Sequence, residues 1–452
     1  MATVADSLIE SPQIRIFESI ICYRHYEHVD PSKLRLQRDQ LGPGALGGVA
    51  ETWCKNNEVQ GSLAMLEGYQ QFLDGIPAIL LGVPFGLAAD RFGRKPVLIL
   101  GMFSLMLRDA WTQLVTWRWQ EFDVRMSWLS TFHGVMEGRN RANAFMRAGA
   151  ADLLPSLFIP PVAARLMDWN PWIPCLLGTL ARFISILLMI FVPETLDFKI
   201  NKLDQRLLHH EPEIRPQRTS SIRAPLLNIS NVATNSALFI KHGTALLIAN
   251  FRLVILVVVF FGHSLLNSAH SIILQYCSRR YRLTLSTATM LLTIFNAVKV
   301  ALLLLVIPRL SIAVKTIFRL SEQGKDLYTC RAAFALVFLG WSLIGLSPNV
   351  PLLSTSLAVA AAGTAPAYLL LRSFITSLVA EEHIARIYSA ISMFDTLGSM
   401  FGAALVAGLF EKGMSLRGVW IGISFIFLGL VGGFSTIVML LVQPNYSEAE
   451  EE

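Results

Sequence analysis

Apolar residues gather into ten long stretches along the chain, at 63–85, 96–117, 142–166, 172–193, 250–276, 285–307, 330–347, 351–376, 386–410 and 418–442. Crossing a hydrocarbon core of about 30 Å takes about 20 predominantly apolar residues in a helix. A helix also satisfies its own backbone hydrogen bonds where no water is present. The pattern therefore predicts an all-α polytopic membrane protein.

The longest polar interval, 194–249, contains "KINKLDQRLLHHEPEIRPQRTSSIRAPLL". Its charges, prolines and serines mark a linker between two membrane halves. The expected organisation is an N-terminal segment and external loop at 1–62, an incomplete N-terminal bundle at 63–193 and a central cytosolic linker at 194–249. A six-helix C-terminal bundle at 250–442 and an acidic tail at 443–452 follow. Residues 1–62 hold no continuous apolar run, so no span and no cleavable signal peptide are expected there. Between 118 and 141 only "MSWLSTFHGVMEG" is apolar. At about 1.5 Å per residue it reaches roughly 20 Å, so a short, distorted crossing is expected.

Composition fits a bilayer. Hydrophobic residues make up 53% of the chain and charged residues 15%, against about 25% charged in soluble domains. The net charge of +6 does not call for nucleic acid, because Lys and Arg collect in cytosolic loops. Arg91, Arg94 and Lys95, then Arg139, Arg141 and Arg147, then Arg309, Lys315, Arg319 and Lys325 belong on that side with the linker. The opposite loops "DWNPW" (168–172) and "SPNVP" (347–351) carry no Lys or Arg, while "SRRYR" (278–282) breaks the rule. The five cysteines show no metal spacing; Cys22 and Cys54 bracket a polar segment, and a disulfide or two free thiols both fit. No Walker loop, zinc motif or nucleophile elbow appears, which gives no support to an ATP-driven pump or to an enzyme.

The stretch "GLAADRFGRKP", 86–96, sets a basic turn between two apolar stretches. Gly86 and Gly93 allow helix ends to approach closely, Asp90 suits a neighbouring helix N-terminus, and Arg91, Arg94 and Lys95 hold the loop in the cytosol. It resembles the signature loop G-x-x-x-D-R-x-G-R-[RK] of the major facilitator superfamily (MFS). "VPETL" at 192–196 resembles the end of that family's sixth span. "CKNNEVQGSLAMLEGYQQFLDGIP" (54–77) and "ARIYSAISMFDTLGSMFGA" (385–403) are similar to a fungal branch distantly related to proton-coupled folate and solute carriers.

The resemblance implies a major facilitator-type two-bundle fold with a midplane substrate cavity, alternating access, and a conformational latch at Gly86, Asp90, Arg91, Gly93, Arg94 and Lys95. Against the family's twelve spans, 10–11 are expected, without a first span and with a shortened fourth. A lost exon, a decayed copy or a genuine short variant would each give that pattern. The fifth span also lacks the glycine pattern of family antiporters. Charges inside apolar spans are expensive and become functional candidates: Asp74, Asp109, Asp152, Arg182, Lys299, Arg372 and Asp395, with Asn267, His270 and Gln275 on the polar face of the seventh span. A structural ion pair between Arg372 and Asp395 and a packing role for His270 are the plainer alternatives.

The expected function is secondary active transport of a small organic molecule, coupled to protons and directed outward. A nutrient importer and a non-transporting membrane protein are the alternatives. No cofactor is expected beyond a proton gradient. The expected partners are substrate, protons and lipid, with no nucleic acid, for a monomer in the plasma or vacuolar membrane.

Overall fold

The computed structural model describes residues 2–133, 154–193, 251–307, 309, 322–379 and 381–442. The described residues form helices and connecting turns, with no strand among them. The N-terminal half holds α1 (Ala2–Val29), α2 (Asn57–Phe92), α3 (Arg94–Trp117), α4 (154–169) and α5 (Trp172–Ile190). The C-terminal half holds α6 (Phe251–Asn267), α7 (Ala269–Tyr281), α8 (Leu285–Ala301), α9 (Glu322–Leu346), α10 (Val350–Ser377), α11 (Glu381–Leu416) and α12 (Ile423–Leu441). Eight helical stretches are long and apolar enough to cross a bilayer; one of them runs through α6 and α7 from Leu253 to Tyr281.

Local chemistry sets the helix starts. Asn56, Thr284 and Asn349 accept hydrogen bonds from the backbone N–H groups of Val59, Thr287 and Leu352, which satisfies donors the first helical turn leaves free. Outward faces carry large apolar side chains such as Leu430, Phe434, Ile437 and Leu441, all exposed. That arrangement suits lipid.

The largest departure from the sequence pattern lies at the N-terminus. Residues 2–29 form a 28-residue helix that buries Ile14, Phe17, Ile20 and Tyr23 against the rest of the half, chiefly against α5 and α2. The segment expected at 1–62 thus contains a helix that the apolar pattern does not announce. Asp6, Glu10, Arg15 and Glu18 interrupt its apolar run, so it is not among the eight stretches with the hydropathy of a span. Its charges face protein partners.

A disulfide joins Cys22 of α1 to Cys54. The intervening residues fold back over this end of the half: the Trp119 and Trp172 indole N–H groups donate to the carbonyls of Gly42 and Pro43, and Arg24 donates to the Trp119 and Phe122 carbonyls. Further along, Val124–His133 is a ten-residue 3₁₀ helix on the flank of α2 and α3. The Trp111 indole donates to the Met126 carbonyl and the Trp128 indole to that of Leu66. A 3₁₀ helix rises about 2.0 Å per residue, so ten residues reach roughly 20 Å, where an α-helix would reach about 15 Å. The remainder of the expected short crossing lies outside the described residues.

The halves meet most closely where α2 packs along α11. Gly61, Gly68 and Gly75 recur every seven residues on α2 and face Met414, Ala403 with Ala407, and Met400. A Cβ at Gly68 would sit 2.6 Å from Ala407 Cβ and 3.0 Å from the Ala403 carbonyl oxygen. At Gly75 it would meet the flexible Met400 side chain at 2.7 Å, and at Gly61 nothing nearer than 3.4 Å. Rigid neighbours cannot yield. Gly68→Ala should therefore cost about 1–3 kcal/mol, as overpacking does; Gly75→Ala should cost less and Gly61→Ala least. Thermal unfolding of the three purified variants checks the order.

At the other end of α2 the chain turns at Gly93, with φ 97° and ψ 156°, a region essentially reserved for glycine. Lys95, two residues later, donates from Nζ to the carbonyl of Ile190 at 2.6 Å. A cation at the C-terminus of α5 is favoured by the helix dipole. Gly93→Ala should lose about 1–3 kcal/mol. Gly93→Asn should not rescue it, because asparagine tolerates the left-handed helical region and not this one. Folded yield and unfolding temperature of the two variants decide the point, and recovery with asparagine would contradict it.

Candidate functional site

Four helices of the N-terminal half contribute to one chain of charges. Arg182 of α5 is fully buried. Its Nε donates to Asp109 of α3 at 2.6 Å and a terminal nitrogen donates to Asp6 of α1 at 2.6 Å. Arg108 stands 3.8 Å from Asp109 and 3.9 Å from Asp74 of α2. The result is a chain of alternating charge, Asp6–Arg182–Asp109–Arg108–Asp74, that ties α1, α5, α3 and α2 together. A guanidinium suits such a place because its planar fork reaches two carboxylates at once. One of its terminal nitrogens makes no hydrogen bond, which leaves a buried donor directed into the half.

The C-terminal half builds its polar centre where α6 passes into α7. Ser268 separates the two helices and donates to the carbonyl of Ser399 on α11. Gly398 and Gly402 let α11 approach closely here: a Cβ on them would meet Ser264 and Ser268 at 2.6 Å. Ser264 donates to Asp395 at 2.5 Å. His263 is buried beside Phe334 and Tyr368, and Arg372 donates to the Tyr368 hydroxyl at 3.4 Å. Polar side chains at membrane depth are tolerated where protein or a cavity surrounds them.

Among the described residues, an ionisable pair crosses between the halves. His270 Nδ1 of α7 lies 3.6 Å from the Glu10 carboxylate of α1. Glu67 of α2 interacts electrostatically with Glu10, and Lys299 of α8 with His263.

Of the residues singled out by sequence, Asp74, Asp109 and Arg182 come together in one network, and Asp395, Arg372 and His270 each take the partners described. Gln275 is fully buried. Asp152 lies outside the described residues, as does the side chain of Asn267, which closes α6. In the basic turn, Gly86, Asp90 and Arg91 fall in the last turns of α2 and Arg94 opens α3, but their surroundings lie outside the described residues. Asp6, Glu10, Arg108 and His263 escaped the sequence reading. Asp6 and Glu10 did so because α1 was too polar to register as a helix in the bundle.

A cavity of about 370 Å³ opens at the disulfide end, lined by Arg15, Glu51, Asp168, Asn170, Thr284 and Ser286 among others. None of the buried charges described above lines it. Among the described residues no group of His, Cys, Asp and Glu is placed to hold a metal ion.

Breaking one side of a buried ion pair leaves the other charge unpaired, at about 3–5 kcal/mol. Arg182→Ala should therefore destabilise the protein by that amount. Arg182→Lys should recover little, since an ammonium cannot bridge both carboxylates in the same geometry. Unfolding in detergent measures both, and a lysine variant with wild-type stability would show that the fork is dispensable.

No family model matches the chain. It is 29% identical over a 472-residue alignment to the MFS efflux pump atnC of Emericella nidulans, spanning 98% of this chain and 86% of that protein. Two Aspergillus flavus proteins are also similar: the MFS-type transporter aprT, at 25% identity over 98% of this chain and 86% of that one, and the efflux pump ustT, at 26% over 92% and 81%. Among solved structures, a D-xylose–proton symporter superposes with a TM-score of 0.57 at 13% identity, covering 98% of this chain and 97% of that one. The human organic anion transporter MFSD10 (TETRAN) gives 0.55 at 15% identity, over 97% and 99%. Both likenesses are of fold.

Proposed function

We propose that this chain, a multi-pass membrane protein similar over nearly its whole length to fungal MFS efflux pumps, is a transporter of the major facilitator superfamily that exports a small organic molecule by alternating access, driven by protons. The Glu10–His270 pair carries the reading, because it joins two protonatable groups, one from each half, on side chains that both remain partly exposed. Changing the protonation of either group alters the attraction between the halves. Protonation is thereby coupled to their rocking, which is what a proton-driven carrier requires. The outward direction is supported by similarity to fungal proteins named as efflux pumps over nearly the whole chain.

The disulfide is what supports an orientation, because loop charge does not separate the two ends. The turn after α4 and the α9–α10 turn contain no lysine or arginine, but the disulfide end also carries Lys33, Arg35, Arg38, Arg279, Arg280 and Arg417. Lys95 sits at the other end. A disulfide belongs in an oxidising compartment, so the disulfide end faces outward from the cytosol. Plasma or vacuolar membrane fits equally.

Purified protein in lipid vesicles, screened over small fungal metabolites with and without an imposed proton gradient, tests the proposal. Uptake into vesicles that depends on the gradient is the expected result, and gradient-independent flux would remove the proton coupling. Glu10→Gln should abolish gradient-driven accumulation while leaving substrate exchange at equilibrium largely intact. Loss of both activities together would assign Glu10 to folding or substrate binding.

A further inference from the structure

The segment just after the disulfide joins the two halves. Asn57, at the start of α2, accepts from Arg279 Nε of α7 at 2.7 Å and donates to the Met414 carbonyl of α11 at 3.0 Å. Glu51, three residues before Cys54, accepts from the backbone N–H of Leu285 at the start of α8 at 3.0 Å. A carboxylate there is favoured by the free N–H groups of a helix N-terminus. Ser286 adds a bond from its hydroxyl to the Ala164 carbonyl of α4, at 3.1 Å.

The same segment is anchored within its own half. Cys54 is bonded to Cys22 of α1. Lys55 donates to Glu18 at 2.6 Å and to Glu51 at 2.9 Å, Gln60 donates to Glu18 at 2.6 Å, and Arg15 lies 3.3 Å from Glu51. Burial works against a charge on Glu51, but Arg15, Lys55 and the Leu285 N–H outweigh it and hold the carboxyl below its usual range. Glu51 is thus ionised at neutral pH and accepts with full charge.

We propose that residues 51–57, tethered to α1 by the Cys22–Cys54 disulfide, are a clasp that locks the two halves together at this end and has to release in each transport cycle. The proposal rests on the transporter reading, since only a protein whose halves separate needs a releasable contact. Its bonds suit the task. Among the described residues, the bonds of this segment that cross between the halves are hydrogen bonds whose partners water can take over when the end opens. The bonds that stay within the N-terminal half are the covalent link and the buried ion cluster, which keep the segment shaped for rebinding. The arginines of "SRRYR", out of place for the charge rule, acquire a reason in Arg279.

Distances across the clasp test this directly. Cysteine-independent spin labels encoded at Leu36 and Val419, both exposed and in opposite halves, report the separation of the halves at this end in full-length protein in lipid nanodiscs. Asn57→Ala removes two crossing bonds and leaves the disulfide and the ion cluster in place. The ratio of long to short distances should rise about tenfold, as expected for losing bonds that include a charged partner. The Cys22→Ser/Cys54→Ser variant, or reduction of the wild type, should shift the ratio in the same direction. An unchanged distribution in Asn57→Ala, with or without lower thermal stability, would overturn the clasp. The measurement needs no substrate: a shifted distribution in a protein that moves nothing across vesicles would sink the transporter reading and leave the mechanical coupling standing.

Discussion

A charge inside the hydrocarbon layer has to find an opposite charge, and much of the N-terminal half follows from that constraint at Arg182. Removing an ion from water costs several kcal/mol even after relaxation, so the buried guanidinium fixes the positions of whatever pairs with it. Asp109 is on the neighbouring α3, and Asp6 is on α1, 176 residues away. The pair to Asp6 places α1 against α5, where Gly178 lets Ala5 and Ile9 come close. With α1 held there, Glu10 meets His270 across the halves and Cys22 meets Cys54. Site and scaffold are the same set of contacts.

The contact between the halves combines two kinds of surface. Along α2 and α11 it is close-packed, with glycines of α2 seated against Ala403, Ala407 and the side chains of Met400 and Met414, and Phe72 edge-on to Phe401. Such a surface gains close-range packing. At the disulfide end it is polar and specific. On the proposed cycle, the close-packed seam serves as the hinge surface while the polar end fixes the resting state. α11 also carries Gly398 and Gly402 against α6 and α7, so movement at the seam reaches Ser268 and the Ser264–Asp395 bond.

Much of this was legible in the sequence. The long apolar stretches became helices because lipid leaves few alternatives, and charges at Asp74, Asp109 and Arg182 were conspicuous among apolar neighbours. The basic turn at 86–96 pointed to the superfamily before any coordinates. What escaped detection was relational. α1 reads as polar because Asp6 and Glu18 interrupt it, and the groups that neutralise them, Arg182 and Lys55, lie far outside any sequence window. The 3₁₀ helix at Val124–His133 has a period near three and so shows as a defective span. Ser268 keeps right-handed helical angles, so the stretch read as 250–276 runs on as one span from Leu253 to Tyr281.

The central claim is that α1 belongs to the working core through the Asp6–Arg182 bond. A double-mutant cycle with Asp6→Asn, Arg182→Gln and both together measures that bond in unfolding free energy. A bond of this kind should make the double variant's loss smaller than the sum of the single losses by about 1–3 kcal/mol. Additive losses would mean that the two side chains do not interact and that α1 is only loosely attached to the bundle.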